Sequence, residues 1–357
     1  VCEIGFADYG SDNYQLVLFD DGDVDENGVS LFKKTTFAAL LDANIKSEVV
    51  EVSGKEHEFL KYYSSFKKVG LPLSILISPE GEATPFNLSK DKAEFRESVW
   101  RLLEDVTSSA IRIQSLNKIV QSYAVVLFIE GDNSSENEKA LQEISSTIET
   151  IASTQKKMPK PFENPPVLIR LPKEQINNEK VLLWSLGWRE EFTGKPVTAV
   201  LYGRGRLMGQ LLSGELLQKS YLNNLLSLVG ADCECGLDRS WILGRMMPLR
   251  WNNRRQKEVV KWRDFDAENP LVKAEMSQIL SISPSKTRKQ GAAGTTTLYG
   301  YTESEMKIVE SYDSQQKNEE ESQPEDEIKS KYGLIILSSI TLLVLIVGIL
   351  IIVRKRR

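Results

Sequence analysis

Lys195-Pro196-Val197-Thr198-Ala199-Val200-Leu201-Tyr202-Gly203-Arg204-Gly205 has an echo at Leu71-Pro72-Leu73-Ser74-Ile75-Leu76-Ile77-Ser78-Pro79-Glu80-Gly81. In each, a proline opens an apolar run of strand-forming residues, and a glycine nine positions later stands where a tight turn reverses the chain. Proline cannot donate to a sheet ladder, so the first residue of a strand is a natural place for it. Two stretches in the same register point to one fold used twice.

Working outward, each proline strand has the same neighbours. In the first unit, strands are expected at 14–19 and 48–52 and helices at 31–41 and 55–68, with Phe59, Leu60, Tyr63 and Phe66 forming one stripe. After the strand at 73–77 come a turn at 79–81 and a partner strand at 83–86. Ser89 then caps a helix carrying Phe95, Val99, Leu102, Leu103 and Val106. The second unit repeats the order: a strand at 123–129, a helix at 136–151, a strand at 167–171 and a helix at 180–188. The strand at 197–202 leads through a turn at 203–205 to a strand at 207–212. Ser213 is expected to cap a last helix with Leu217, Tyr221, Leu225 and Leu228 aligned, closed by Gly230. A chain of 357 residues is long enough for two domains and further segments.

This order of strand, helix, strand, helix, proline-strand, hairpin strand and helix resembles the thioredoxin fold, over residues 12–110 and 120–230. The resemblance implies an α/β fold class: two tandem thioredoxin-like domains, each a central mixed sheet flanked by helices. It also implies a cis bond before each of the two prolines. One departure bears on function. Thioredoxins carry Cys-x-x-Cys at the helix that follows the first strand, where the helix dipole lowers a thiol pKa. Here that place reads Asp20-Asp21-Gly22-Asp23-Val24-Asp25 in one unit and Glu130-Gly131-Asp132-Asn133-Ser134-Ser135 in the other. The resemblance therefore implies a retained peptide-facing edge without the dithiol, with Leu71, Pro72, Lys195 and Pro196 as the partner-binding residues.

The three cysteines fall elsewhere, at Cys2 and in the pair Cys233-Glu234-Cys235. One disulfide with an odd thiol, or an acylated Cys2, accounts for them. The pair admits a structural bridge, a thiol-disulfide role, or soft-metal binding with Met246 and Met247 nearby. Asp23, Asp25 and Asn27 with Gly28 match the first half of a calcium loop, but Lys34 stands where its bidentate glutamate belongs. His57 is the single histidine and is expected on a solvent-facing helix surface. A Ser-His-Asp triad or a zinc-water site would have to use it. No glycine-rich loop fits a phosphate. Hydrolase and nucleotide chemistry are excluded.

Residues 333–353 are apolar and uncharged, about the length that crosses a bilayer core, and Arg354-Lys355-Arg356-Arg357 follow at once. A single span is expected, with the N-terminal bulk extracytoplasmic, the tail cytoplasmic and a signal peptide removed ahead of Val1. The tail carries +4 of a net charge of −5, leaving −9 for the rest, a balance unsuited to nucleic acid. Trp241, Trp251 and Trp262 alternate with Arg250, Arg254, Arg255, Lys257, Lys261 and Arg263, a segment expected to dock back on the domains or on a partner. The expected division is 1–118 and 119–238 for the two domains and 239–281 for the Trp/Arg extension with a short helix. A disordered acidic tether at 282–332, the span at 333–353 and the tail at 354–357 complete it. The plan (Cys near the start, Ile4-Gly5-Phe6-Ala7-Asp8, two thioredoxin-like units, Gly-Arg-Gly-Arg, Cys-x-Cys) resembles a set of bacterial membrane-anchored proteins with no assigned activity. The expected function is a non-catalytic, membrane-anchored scaffold holding a membrane-associated protein partner. The alternative is a thiol-disulfide or metal-handling role for Cys233 and Cys235.

Overall fold

A computed structural model describes residues 3–8, 12–54, 56–154, 157, 164–230 and 243–282. The first lobe runs β1 (Tyr14–Asp20), α1 (Glu26–Ala39), β2 (Ile45–Glu51), α2 (Leu60–Phe66), β3 (Leu73–Ile77), β4 (Ala83–Asn87) and α3 (Lys92–Thr107). Its sheet order is β2-β1-β3-β4. β1 pairs parallel to β2, with Leu18 opposite Val49, and antiparallel to β3, with Val17 opposite Ile75. Successive residues of β1 serve opposite faces, because a strand alternates its side chains. Tyr14, Leu16 and Leu18 join Phe32 of α1 and Phe95 and Val99 of α3. Val17 and Phe19 join Leu73, Ile75 and the aromatic face of α2, where Phe19 stacks on Tyr63 at 5.6 Å. Pro85 sits on the edge strand β4, where its missing N–H costs no interior pairing.

The second lobe runs α4 (Ala110–Gln121), β5 (Val125–Ile129), α5 (Ser134–Thr154), β6 (Val167–Leu171), α6 (Lys180–Ser185), β7 (Val197–Tyr202), β8 (Arg206–Leu207), β9 (Leu212–Ser213) and α7 (Lys219–Val229). Its order is β6-β5-β7-β8, with β9 also on β7. Leu127 lies opposite Ile169 in parallel and opposite Ala199 in antiparallel pairing. β5 and β7 are buried at every position, which is why they read as continuous apolar runs rather than alternating ones.

Several expectations are corrected. α3 is capped by Asp91, whose carboxylate accepts from Ala93 N and Glu94 N, while the Ser89 hydroxyl bonds the Glu94 carboxylate. The strand expected at 207–212 is interrupted at Gly209, which has φ 68°, leaving two short pieces. Ser213 lies in β9 and donates to Pro196 O, and α7 starts later, at Lys219. Its buried face is Leu222, Leu225, Leu226 and Val229, which shares only Leu225 with the expected row. His57 precedes α2 rather than lying on it. The boundary expected between 118 and 119 falls inside α4, a helix the spacing did not reveal, which packs on β5, β6 and β7. Of the two X–Pro bonds, Leu71–Pro72 is cis, and Lys195–Pro196 is not among the cis peptides of the described residues.

The lobes are joined by more than the chain between them. Arg112, at the start of α4, is buried and gives its donors to Val106 O (2.9 Å), Ser108 O (2.6 Å), Asp105 O, Ser109 Oγ and Pro248 O (3.1 Å). It thereby closes the C-terminal end of α3 with a positive charge. Within the second lobe, Glu179 fixes the same helix, accepting from Ile111 N and Ser109 Oγ at the N-terminus of α4. Burial lowers the Arg112 guanidinium to about 10, and the nearby Glu179 carboxylate acts against that shift.

A strap at 243–251 then threads between the lobes. Toward the second, Leu207 N donates to Arg245 O at 2.8 Å and Met247 N to Gly205 O at 3.3 Å. Toward the first, Tyr14 Oη donates to Met246 O at 2.7 Å, and Leu249 N donates to Asn44 Oδ1 at 2.8 Å. Backbone polar groups buried here need partners, and the strap finds them alternately in each lobe. The segment Ile4–Phe6 fills the remaining space, with Phe6 against Trp251 at 6.1 Å between centroids. The expected docking of the Trp/Arg extension thus takes the inward form for Trp251, and two helices follow it, α8 (Asn253–Arg263) and α9 (Pro270–Ile282). Among the described residues no helix is long and apolar enough to cross a membrane. The span expected at 333–353, the rest of the tether after Ile282 and the basic tail lie outside those residues.

Candidate functional site

The loops that follow β1 and β5 are where the resemblance puts catalytic thiols. In the first lobe the loop is organised by Asp20, a buried carboxylate that accepts from Gly22 N at 3.1 Å and Val24 N at 3.0 Å. Asp25 then caps α1, accepting from Gly28 N at 2.8 Å. Lys92 lies 2.8 Å from Asp25, and Lys90 lies 2.9 Å from Asp23. The Lys92 hydrogen bond, followed by that from Gly28, holds the Asp25 carboxyl below its usual range. The candidate calcium residues Asp23, Asp25 and Asn27 thus form a loop whose two carboxylates each meet a lysine ammonium. Gly28 lies inside α1 rather than at the sharp turn a calcium loop makes there. Among the described residues no group of three or more His, Cys, Asp or Glu is placed to hold a metal.

In the second lobe the corresponding loop closes on the proline segment. Asp132 N donates to Gly194 O at 2.8 Å, and Asn137 bonds both N and O of Gly131 at 2.8 and 2.9 Å. A Cβ on Gly131 would lie 2.5 Å from the Lys195 carbonyl carbon and 2.6 Å from Pro196 N. Lys195 N donates to Phe192 O, and Pro196 O accepts from Ser213. Lys195 and Pro196 are therefore brought directly against their own lobe's loop.

The repeat makes a comparison possible that neither lobe offers alone. Gly22 and Gly131 each stand two residues past the end of a first strand, and Gly70 and Gly194 each stand two residues before a proline. A Cβ on Gly22 or on Gly70 would meet nothing within 4 Å, whereas one on Gly194 would lie 2.8 Å from the Asp132 carboxylate. Equivalent positions thus face open space in the first lobe and backbone or side chain in the second. Leu71, next to Gly70, is half-buried and packs against the cluster of Val17, Phe19, Leu73 and Ile75. Sequence spacing could not reveal the difference, because the glycines are at matching places in both units. Replacing Gly131 by alanine should force the Gly194–Pro196 backbone away and destabilise the protein by about 1–3 kcal/mol. A melting temperature unchanged from wild type would show that the loop is not packed as described.

The remaining candidates separate. His57 Nε2 lies 3.0 Å from Glu48 Oε1 of β2. Cys2, Cys233 and Cys235 lie outside the described residues. Arg204, which the spacing placed in a hairpin turn, and Arg206 just after that turn are structural. Arg206 is fully buried and forks onto Asp12 at 3.1 and 2.7 Å, and Arg204 pairs with Asp8 at 3.2 Å over the Trp251 ring.

No family model matches the chain, and no curated protein matches it. Among solved structures it is similar to the first two thioredoxin domains of Saccharomyces cerevisiae Eps1p, at 9% identity over 60% of this chain and 92% of that one, with TM-score 0.22. It is also similar to zinc-bound human ERp44, at 9% identity over 64% and 60% of the two chains, with TM-score 0.23. A third similarity is to the NTD_N/C domain of alkyl hydroperoxide reductase AhpF from Enterococcus faecalis, at 14% identity over 61% and 91%, with TM-score 0.19. The assignment of architecture rests instead on the strand order and pairing described above. In both lobes a central strand runs parallel to the second and antiparallel to the third, with helices on the faces, and each lobe is thioredoxin-like in fold.

Proposed function

We propose that this protein is a non-catalytic binding scaffold whose first lobe holds an extended segment of a protein partner at the Leu71–Pro72 edge. The second lobe and the strap serve to brace that lobe. The observation that carries this reading is the contrast between the open space at Gly22 and Gly70 and the closed loop at Gly131 and Gly194. The absence of cysteine from residues 20–25 and 130–135 supports binding rather than dithiol exchange at either loop. In this reading residues 333–353 anchor the chain in a membrane with the lobes on the extracytoplasmic side, and the partner is membrane-associated.

A site-specific photocrosslinker tests it. The full chain carrying p-benzoylphenylalanine in place of Leu71 should yield a discrete adduct in membranes, and the same replacement at Lys195 should not. Adducts from Lys195 alone, or from neither position, would sink the proposal. So would insulin-disulfide reduction by the wild type that vanishes in a Cys233→Ser/Cys235→Ser variant, since it would move the function to that pair.

A further inference from the structure

The packing of α1 on α3 leaves a second surface, separate from the Leu71 edge. Two hollows lie against the helix pair. One, of about 300 Å³, has the paired Asp23, Asp25, Lys90 and Lys92 in its wall together with Phe95 and Arg96, and the other, of about 450 Å³, has Lys34, Ala38, Trp100 and Arg250. Trp100 is 49% exposed, and Phe37 and Leu41 at the end of α1 are exposed by 71% and 72%. Arg96 and Trp100 are four residues apart on α3, and Lys34 and Ala38 four apart on α1, so each helix presents one row to the groove. Arg250 arrives from the strap, held there by the bridge between Ala43 and Arg250.

The charges are unevenly matched. Lys90 and Lys92 are paired with Asp23 and Asp25, and Arg101 with Glu97. Among the described residues, Lys34, Arg96 and Arg250 make no side-chain ion pair, and all three are exposed. In a protein with a net charge of −5, Lys34 and Arg250 share one hollow with the exposed Trp100 and Arg96 stands one turn away on α3, all three without an ion pair among the described residues. Unpaired charge at the rim of an apolar groove steers and orients a partner of opposite sign. We infer that the α1–α3 groove docks an acidic amphipathic peptide segment of a partner protein. Its apolar side chains lie on Trp100 and Ala38, and its carboxylates meet Lys34, Arg96 and Arg250.

The test uses the full chain in detergent and a fluorescein-labelled peptide of about ten residues, with Glu and Asp on one helical face and Leu and Phe on the other. Fluorescence anisotropy should show saturable binding that weakens as salt is raised from about 50 to about 300 mM. Trp100→Ala, and separately a Lys34→Glu/Arg96→Glu/Arg250→Glu variant, should each raise the Kd about tenfold or more at unchanged melting temperature, with Trp100→Phe restoring binding. Three results with the peptides would overturn the inference. They are no binding by wild type, variants that bind as wild type does, or equal binding of a peptide with Lys and Arg in place of the acidic residues. Tighter binding of single-stranded oligo(dT) than of the peptide would also overturn it, assigning the cations to a nucleic acid.

Discussion

Replacing Asp12 by alanine is expected to destabilise the folded protein by about 3–5 kcal/mol, among the largest effects of any single side chain in the inter-lobe region. Arg206 has no exposed surface and Asp12 very little, and the two meet through both carboxylate oxygens. Removing the carboxylate takes away the two-pronged contact that offsets much of the cost of holding this guanidinium charge out of water. The pair also joins parts of the chain far apart in sequence, the approach to β1 and the start of β8, with Gly244 O of the strap beside them. Loss of the pair should therefore loosen the lobes together rather than one alone. Thermal unfolding followed by circular dichroism should show a fall on the order of 10 °C. Arg206→Met in the Asp12→Ala background should recover part of it, because an apolar side chain of similar length restores packing without a charge. A fall of only a degree or two for Asp12→Ala would mean that the ion pair is not shielded as described.

Glu82 should give the clearest pH dependence. Its carboxylate accepts two hydrogen bonds from Arg245 and one from Arg189, all at 2.8 Å. The Arg245 hydrogen bonds outweigh the opposing effect of burial, Arg189 adds to them, and the carboxyl is held at about 2, below its ordinary 4.5. The folded protein therefore binds this proton less readily than the unfolded chain. The stabilisation is complete above the unfolded value and is lost as pH falls from there toward about 2. Its size is on the order of 3 kcal/mol. Glu82→Gln, which resembles the protonated acid in shape and charge, should be less stable than wild type at neutral pH. The two stability curves should meet as pH approaches about 2. Chemical denaturation at a series of pH values decides it, and a constant gap between the curves would show that the carboxylate is not what clamps Arg245.

How much of this was legible beforehand varies by element. The apolar runs at 73–77 and 197–202 and their flanking glycines gave the repeat, because burial on both faces leaves a strand no place for polar residues. α4 was missed because Arg112 and Ser115 interrupt its apolar row, and both are buried for tertiary reasons. Arg112 holds the end of α3 and a strap carbonyl, and Ser115 is shielded from solvent. In the sequence the strap shows only as part of a Trp/Arg extension. Its partners in the first lobe lie some 200 positions away, as Asn44 and Leu249 do, and no local pattern encodes such a pairing.

The sequence by itself determined that the chain holds two copies of one α/β unit and that neither has cysteines at the helix following its first strand. Composition and local spacing suffice for both, since each depends on residues close together in the chain. The tertiary structure decided how the copies differ. Matching glycines meet empty space in one lobe and the proline segment in the other, because what surrounds a glycine is supplied by distant chain. The Leu71 edge and the Lys195 edge, alike as text, are unlike as surfaces for that reason.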